Sequence, residues 1–270
     1  FSLFEYICSM EVRAKKALGQ HFLKDEGVAR RIVESFDSKT YKNLLEIGPG
    51  TGVLSKYLVD MDDLNFKLIE IDGESVDYLL LHYPKVAKNL YNADFLKLDL
   101  KRIFPESFCV IGNFPYNISS QIFFKILDYK EDIPQVVCMI QKEVAQRIAS
   151  APGNKDFGIL SVLLQAWYDI EYLFTVPPGA FLPPPKVNSA VIRLNRNNRT
   201  SLGCDETLFK KIVKGCFGQR RKTIRNSIKP ILAELNQLQN ENILQHPFLS
   251  MRPEQLGVED FIELTKLVSN

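Results

Sequence analysis

The sequence predicts an α/β fold on a parallel sheet, followed by an all-helical C-terminal region. Three observations carry this. Leu44-Leu45-Glu46-Ile47-Gly48-Pro49-Gly50-Thr51-Gly52 reads as a strand and a tight turn, with Val53-Leu54-Ser55-Lys56-Tyr57-Leu58 resuming at helical spacing. Strand-like runs then alternate with helical patterns, as βαβ units do. Beyond Ser201 only helical periodicity remains.

The glycine turn comes first in the argument. Residues without Cβ let the main chain take positive φ and approach a ligand closely, and in open α/β sheets ligands bind at such strand ends. A dinucleotide fingerprint is spaced G-x-G-x-x-G, but here Val53 stands at the last position and the third glycine comes one residue early. The resulting G-x-G-x-G resembles the first motif of S-adenosylmethionine-dependent methyltransferases. A dehydrogenase reading requires Val53 to be tolerated as the third fingerprint position. A tight structural turn is the plainer alternative.

Phe66–Asp72 is the second strand. Glu70 follows Gly48 by 22 residues, near the offset of about 20 at which an acid meets a ribose hydroxyl pair. A carboxylate, being acceptor-only, can receive both hydroxyl protons. Asp72 reads as structural. After a helix over Val76, Leu79 and Leu80, Leu90–Leu96 is a short strand ending at Asp94. Asp94 can accept from the exocyclic amine of adenine while Phe95 or a nearby apolar residue covers the ring face.

Phe108–Gly112, the fourth strand, delivers Asn113-Phe114-Pro115-Tyr116. An exocyclic adenine nitrogen is a poor nucleophile because its lone pair is delocalised into the ring. Two acceptors aimed at its N–H bonds, the Asn113 side-chain oxygen and a main-chain carbonyl near Phe114, bias it toward a pyramidal nitrogen able to attack a sulfonium methyl. Pro115 stiffens the loop, and Tyr116 offers a face to a base taken out of its stack. An ordinary Asx turn is the bland reading.

Bulk properties set few limits. The 270 residues suit one large domain or two, and a 46% hydrophobic composition supports a core without staples. A net charge of +2 neither demands nor excludes nucleic acid. Five cysteines without a C-x-x-C and three separated histidines predict no metal site and reduced thiols in a cytoplasmic protein. No apolar run approaches the ~20 residues a membrane span needs. Phe1–Ser9 lacks a basic leader and contains an acid, so it reads as a poor signal peptide, and Met10 is a candidate start.

Upstream, Arg13, Lys15 and Lys16 form a basic arm running into Gly19-Gln20-His21-Phe22-Leu23, which by itself reads as a solvated tail and a turn. Asp25 reads as the N-cap of a helix over Val28, Ile32 and Val33. Downstream, Gln141–Ile148 reads as an amphipathic helix, Ile159–Leu164 as a buried helix with Trp167 in the core, and Asn188–Leu194 as a closing strand. The proline-bracketed Phe181-Leu182 segment is a candidate wall of the target-base pocket. The polar stretch 195–201 marks a domain boundary. The expected organisation is an arm over 1–14, an α/β domain over 15–196 and a helical domain over 202–270. In the latter, helices are expected over Asp205–Cys216, over Arg220–Leu238 with an interruption at Pro230, and over Pro253–Val268. Arg220, Arg221, Lys222 and Arg225 are the densest basic cluster, a solvated helical face by default and a phosphate-binding one if the ligand is RNA.

The tetrad Asn113–Tyr116 resembles the N-(L/I/F)-P-(Y/F) motif of N6-adenine methyltransferases. With Gly19–Leu23, Gln141–Arg147, Phe181–Ser189 and Phe217–Asn226, the chain resembles the ribosomal RNA adenine dimethylases of the small-subunit (KsgA/RsmA) type. The resemblance implies a Rossmann-like methyltransferase domain with a small helical domain, S-adenosylmethionine as cofactor, and dimethylation of two adjacent adenosines in the 3′-terminal hairpin of 16S rRNA. It implies contacts of Gln20, His21 and Leu23 with the cofactor. Gly48 and Gly50 lie along its methionine part, with Glu70 on the ribose, Asp94 on the adenine and Asn113 at the reacting nitrogen. Arg147 and the basic cluster are then expected to contact RNA. The expected partner is an immature small ribosomal subunit, and the expected form a monomer. His21 departs from the commoner Asn and Phe114 from the commoner Leu. Three rivals remain at this point: the large-subunit (23S) dimethylases, which share the first domain, a non-catalytic ribosome-assembly factor, and a transcription-factor relative that keeps the fold.

Overall fold

The computed structural model describes residues 12–269. The stretch 1–11, with Met10 and the segment read as a poor signal peptide, lies outside the described residues. The chain divides into two compact units. One runs up to Ala145 and again over Glu171–Arg196; the other takes Gln146–Ile170 and everything from Asn197 onward.

Among the described residues, nine strands occur in the order β1 (Phe22–Leu23), β2 (Asn43–Ile47), β3 (Asn65–Glu70), β4 (Leu90–Asn92), β5 (Cys109–Asn113), β6 (Gln135–Gln141), β7 (Tyr168–Val176), β8 (Phe181–Leu182) and β9 (Ser189–Arg196). Seven form one sheet in the order β4-β3-β2-β5-β6-β9-β7, while β1 and β8 pair antiparallel as a separate ribbon. From β4 to β6 all pairings are parallel, and β9 runs antiparallel to β6. The order descends to β2 and then jumps to β5. That reversal opens a crevice at the carboxyl ends of β2 and β5, where an open α/β sheet takes its ligand.

The strands are apolar because helices cover both faces of a parallel sheet. Leu44 and Leu45, on opposite faces of β2, are both fully buried. So is the run Val136 to Ile140 of β6, a strand to which the sequence reading assigned no element. The longer helices are α1 (Glu26–Glu34), α2 (Gly73–His82), α3 (Ser119–Asp128), α4 (Lys142–Ala149), α5 (Ile159–Gln165), α6 (Glu206–Gly218) and α7 (Val258–Ser269). Asp25 caps α1, its Oδ1 accepting the Val28 N–H at 3.0 Å.

The structure differs from the sequence reading in several places; the last helix starts at Val258 after a 3-10 turn over Pro253–Gln255, and the strand expected over Leu90–Leu96 ends at Asn92. The helix after the glycine turn is only Ser55–Leu58, because Thr51–Leu54 stay in hydrogen-bonded turns tied by Gly52 N–H to Pro49 O and Lys56 N–H to Gly52 O. Residues 146–170, read as part of the α/β domain, belong to the helical unit, where the apolar side chains of α5 pack with α6 and α7. No single helix spans 220–238. The basic residues Arg220–Lys222 lie in a turn, and short helices follow over Ile224–Ser227 and Lys229–Glu234. Pro230 sits in the first turn of the second helix, where its missing N–H costs nothing, so it starts a helix rather than interrupting one.

Candidate active site

The crevice holds a cavity of about 280 Å³ within the first unit. All eleven residues nominated for cofactor and catalysis line it: Gln20, His21, Leu23, Gly48, Gly50, Glu70, Asp94, Asn113, Phe114, Pro115 and Tyr116. They arrive from the arm before α1, the ends of β2, β3 and β5, and the turn after β4.

The glycine turn leaves β2 with φ of +65° at Gly48, +57° at Gly50 and +77° at Gly52. A Cβ on Gly48 would meet nothing within 4 Å, whereas one on Gly50 would fall 2.9 Å from the Phe22 ring. The turn is anchored from β3. Glu70 accepts the Gly50 N–H at 3.0 Å through one oxygen and the Asp72 N–H at 2.9 Å through the other. Each oxygen retains a second lone pair for a ligand. Burial pushes the Glu70 carboxyl up, opposed by those main-chain hydrogen bonds. Beneath the turn, Glu46 is fully buried and accepts the Ser55 hydroxyl at 2.6 Å. Burial raises its carboxyl to about 8, which favours the neutral form.

The arm is closed by specific contacts. Lys15 is ion-paired with Asp72, and with Glu74 at 3.1 Å. Gln20 accepts the Lys15 main-chain N–H at 2.8 Å and donates to Asp72 at 3.4 Å. Asp72 is 3% exposed. Burial alone would raise its carboxyl, but hydrogen bonds from Lys15, Ser75 and Gln20 win and hold it below the usual carboxylate range. This matches its reading as a structural acid. Gly19 turns in the left-handed region at φ +64°, where a Cβ would strike the Asn117 side chain at 2.5 Å.

The arm also sets the orientation of Asn113, whose Nδ2 donates to the main-chain oxygen of His21 at 3.0 Å. A carbonyl only accepts, so the amide nitrogen must face it, and Oδ1 is left as the acceptor. The His21 ring donates from Nδ1 to Pro183 O at 2.9 Å and lies 5.3 Å from the Tyr116 ring. The Tyr116 hydroxyl is paired with Ser189 of β9. Phe114 is buried edge-on against Phe123, 5.8 Å between centroids. Asp94 accepts the Leu96 N–H at 2.9 Å, with Lys97 at 3.6 Å from its other oxygen.

A site of this geometry has close relatives. The model of the family described as ribosomal RNA adenine dimethylase matches residues 11–266. The chain belongs to that family. The dimethylase is 56% identical over 256 residues to "Ribosomal RNA small subunit methyltransferase A" of Parabacteroides distasonis, covering 94% of this chain and 93% of that one. It is 53% identical over 260 residues to the protein of the same name in Cytophaga hutchinsonii, covering 96% and 98%. Among solved structures it resembles a dimethyladenosine transferase from Plasmodium falciparum, with TM-score 0.74, 25% identity and coverage of 90% and 96%. The 23S rRNA methyltransferase ErmE follows at TM-score 0.63, 26% identity and coverage of 92% and 100%.

S-adenosylmethionine is the methyl donor of this dimethylase, and the cavity suits it. The turn at Gly48 faces open space, Glu70 keeps lone pairs for hydroxyls, and Asp94 is a further acceptor in the lining. Among the described residues, no group of three or more His, Cys, Asp or Glu is arranged to hold a metal, and no helix is long and apolar enough to cross a membrane.

The nominated RNA-contacting residues all lie in the helical unit, with different surroundings. Arg220 donates to Lys155 O and lies 3.9 Å from Glu254; Arg225 donates to Leu244 O at 2.6 Å. The side chains of Arg221 and Lys222 are exposed and make no hydrogen bond or ion pair among the described residues. Arg147 lies in α4 and is half-buried. Sequence reasoning missed the Lys15–Asp72 pair, the buried Glu46 and the His21 carbonyl. Lys15 and Asp72 are 57 residues apart, and no local pattern joins them.

Proposed function

We propose that this dimethylase transfers four methyl groups, two to each of two adjacent adenosines in the 3′-terminal hairpin of 16S rRNA, late in small-subunit assembly. It acts in the cytoplasm on the immature small subunit, as a monomer. The observation that carries the chemistry is the Asn113 amide, pinned through Nδ2 so that Oδ1 accepts.

Bound S-adenosylmethionine supplies an electrophilic sulfonium methyl. Gln20, His21 and Leu23 contact it, Gly48 and Gly50 lie along its methionine part, and Glu70 takes its ribose and Asp94 its adenine. Asn113 Oδ1 and a main-chain carbonyl beside Phe114 accept from the N–H bonds of the target amine, which frees its lone pair without a general base. Once one methyl is in place a single N–H remains to be held. Pro115 keeps the loop rigid, and Tyr116, steadied by Ser189, offers a ring face to the flipped base. Arg221 and Lys222, joined by Arg147 and Arg225, neutralise phosphates of folded RNA, while Arg220 ties Lys155 O within the helical unit.

Small-subunit specificity is supported by relatives named for that subunit at 52–56% identity, against 26% for the 23S enzyme. The test is transfer of a radiolabelled methyl group to undermethylated small subunits, with large subunits and free rRNA as controls. Label confined to small subunits is expected. Label in large subunits overturns the substrate, and small-subunit binding without transfer overturns the activity.

A further inference from the structure

We propose that Lys125 is the positioning residue of the adenine subsite, holding the turn after Asp94 by hydrogen-bonding two of its carbonyls. The inference rests on the reading of Asp94 as the acceptor for adenine. Asp94, Phe95 and Leu96 line the cavity, yet the element they form is a single 3-10 turn, Phe95–Lys97. Two main-chain hydrogen bonds close it, Lys97 N–H to Asp94 O at 3.0 Å and Leu98 N–H to Phe95 O at 3.4 Å, the second of them long.

A further constraint comes from α3, some 30 residues along the chain. The Lys125 ammonium donates to Phe95 O at 2.6 Å and also to Leu98 O, and it lies 5.1 Å from the centroid of the Phe95 ring. One cation therefore ties both ends of the turn and sits over its buried aromatic residue. An ammonium suits this task because its three donors radiate from a point and can reach two carbonyls of different direction. Burial pulls the Lys125 ammonium below its ordinary value, and the carboxylates of Asp94, Asp99 and Asp128 oppose that shift.

The functional consequence lies in geometry. Asp94 Oδ1 is fixed by the Leu96 N–H, one residue into the turn. If the carbonyls of Phe95 and Leu98 lose their donor, the turn loosens, Leu96 moves, and the carboxylate is no longer held for an amine. Lys125 thus acts on recognition of the base through Asp94 without lining the cavity.

The test is calorimetric titration of the intact protein with S-adenosylhomocysteine and with S-inosylhomocysteine, in which an oxo group replaces the adenine amine. The quantity read is the ratio of the two affinities. The wild type is expected to favour the adenosyl ligand by at least about tenfold, the value of one good hydrogen bond. Lys125→Met keeps the stem and removes the donors; it is expected to collapse the ratio toward one, mainly by weakening the adenosyl ligand. Lys125→Gln, whose amide can serve one carbonyl, is expected to give an intermediate ratio and remains informative if the Met variant does not fold. A wild-type ratio in either folded variant overturns the proposal. Asp94→Asn tests the underlying reading separately: an unchanged ratio there overturns the assignment of Asp94, whatever Lys125 does.

Discussion

Ser55 donates its hydroxyl to the Glu46 carboxyl at 2.6 Å directly beneath the glycine turn, with both residues sealed from solvent. The pair has a pH consequence. Burial raises the Glu46 carboxyl from 4.5 to about 8, with Glu70 nearby adding to the rise. Between those values the folded state binds a proton that the unfolded state has released, so stability falls as pH rises. The stability is fully present below about 4.5, is lost through the window up to about 8 and then levels off. The slope contributed is at most about 1.4 kcal/mol per pH unit. Thermal melts from pH 5 to 9 should show that decline in the wild type and a flatter profile in Glu46→Gln. Parallel profiles would mean that Glu46 does not titrate in this range.

Gly50 combines a left-handed backbone with a neighbour that leaves no space. Gly50→Ala should cost about 1–2 kcal/mol from φ alone, plus the displacement of Phe22. It should also weaken S-adenosylhomocysteine binding about tenfold or more, because Phe22 and Gly50 both line the cavity. Gly153→Ala is the control. It has φ of +86° with nothing within 4 Å of the added Cβ, so it carries the backbone cost alone and should leave cofactor affinity unchanged.

The split within the basic cluster predicts two kinds of variant. Arg221→Ala and Lys222→Ala should weaken binding to small-subunit RNA and together reduce the slope of log affinity against log salt by about two. Arg220→Ala should instead lower the melting temperature, since its guanidinium ties Lys155 O within the helical unit. Salt-dependent filter binding paired with melting curves separates these outcomes.

Much of this arrangement was legible because its signals are local. The turn at Gly48–Gly52, the acids closing β3 and following β4, and the tetrad at the end of β5 each state their chemistry within a few residues. Topology then brings them to one crevice. What was not legible depends on distance or on length. Val136–Ile140 is a buried strand whose apolar run has no period to distinguish it from a helix. The segment 146–170 joins the helical unit through packing that no sequence boundary marks. Lys15, read with Arg13 and Lys16 as a solvated arm, finds Asp72 only when the chain folds back. The helix expected over 220–238 fails at Arg220–Lys222, where a basic run matched a helical face that the backbone does not form.

The central claim is that Asn113, oriented by the His21 carbonyl, aligns the reacting amine and contributes little to holding the cofactor. It is tested most directly by Asn113→Ala, measuring single-turnover methyl transfer to small subunits alongside S-adenosylhomocysteine affinity. The account predicts a rate loss of about 100-fold or more with affinity changed by no more than about threefold. Equal losses in rate and affinity would contradict it.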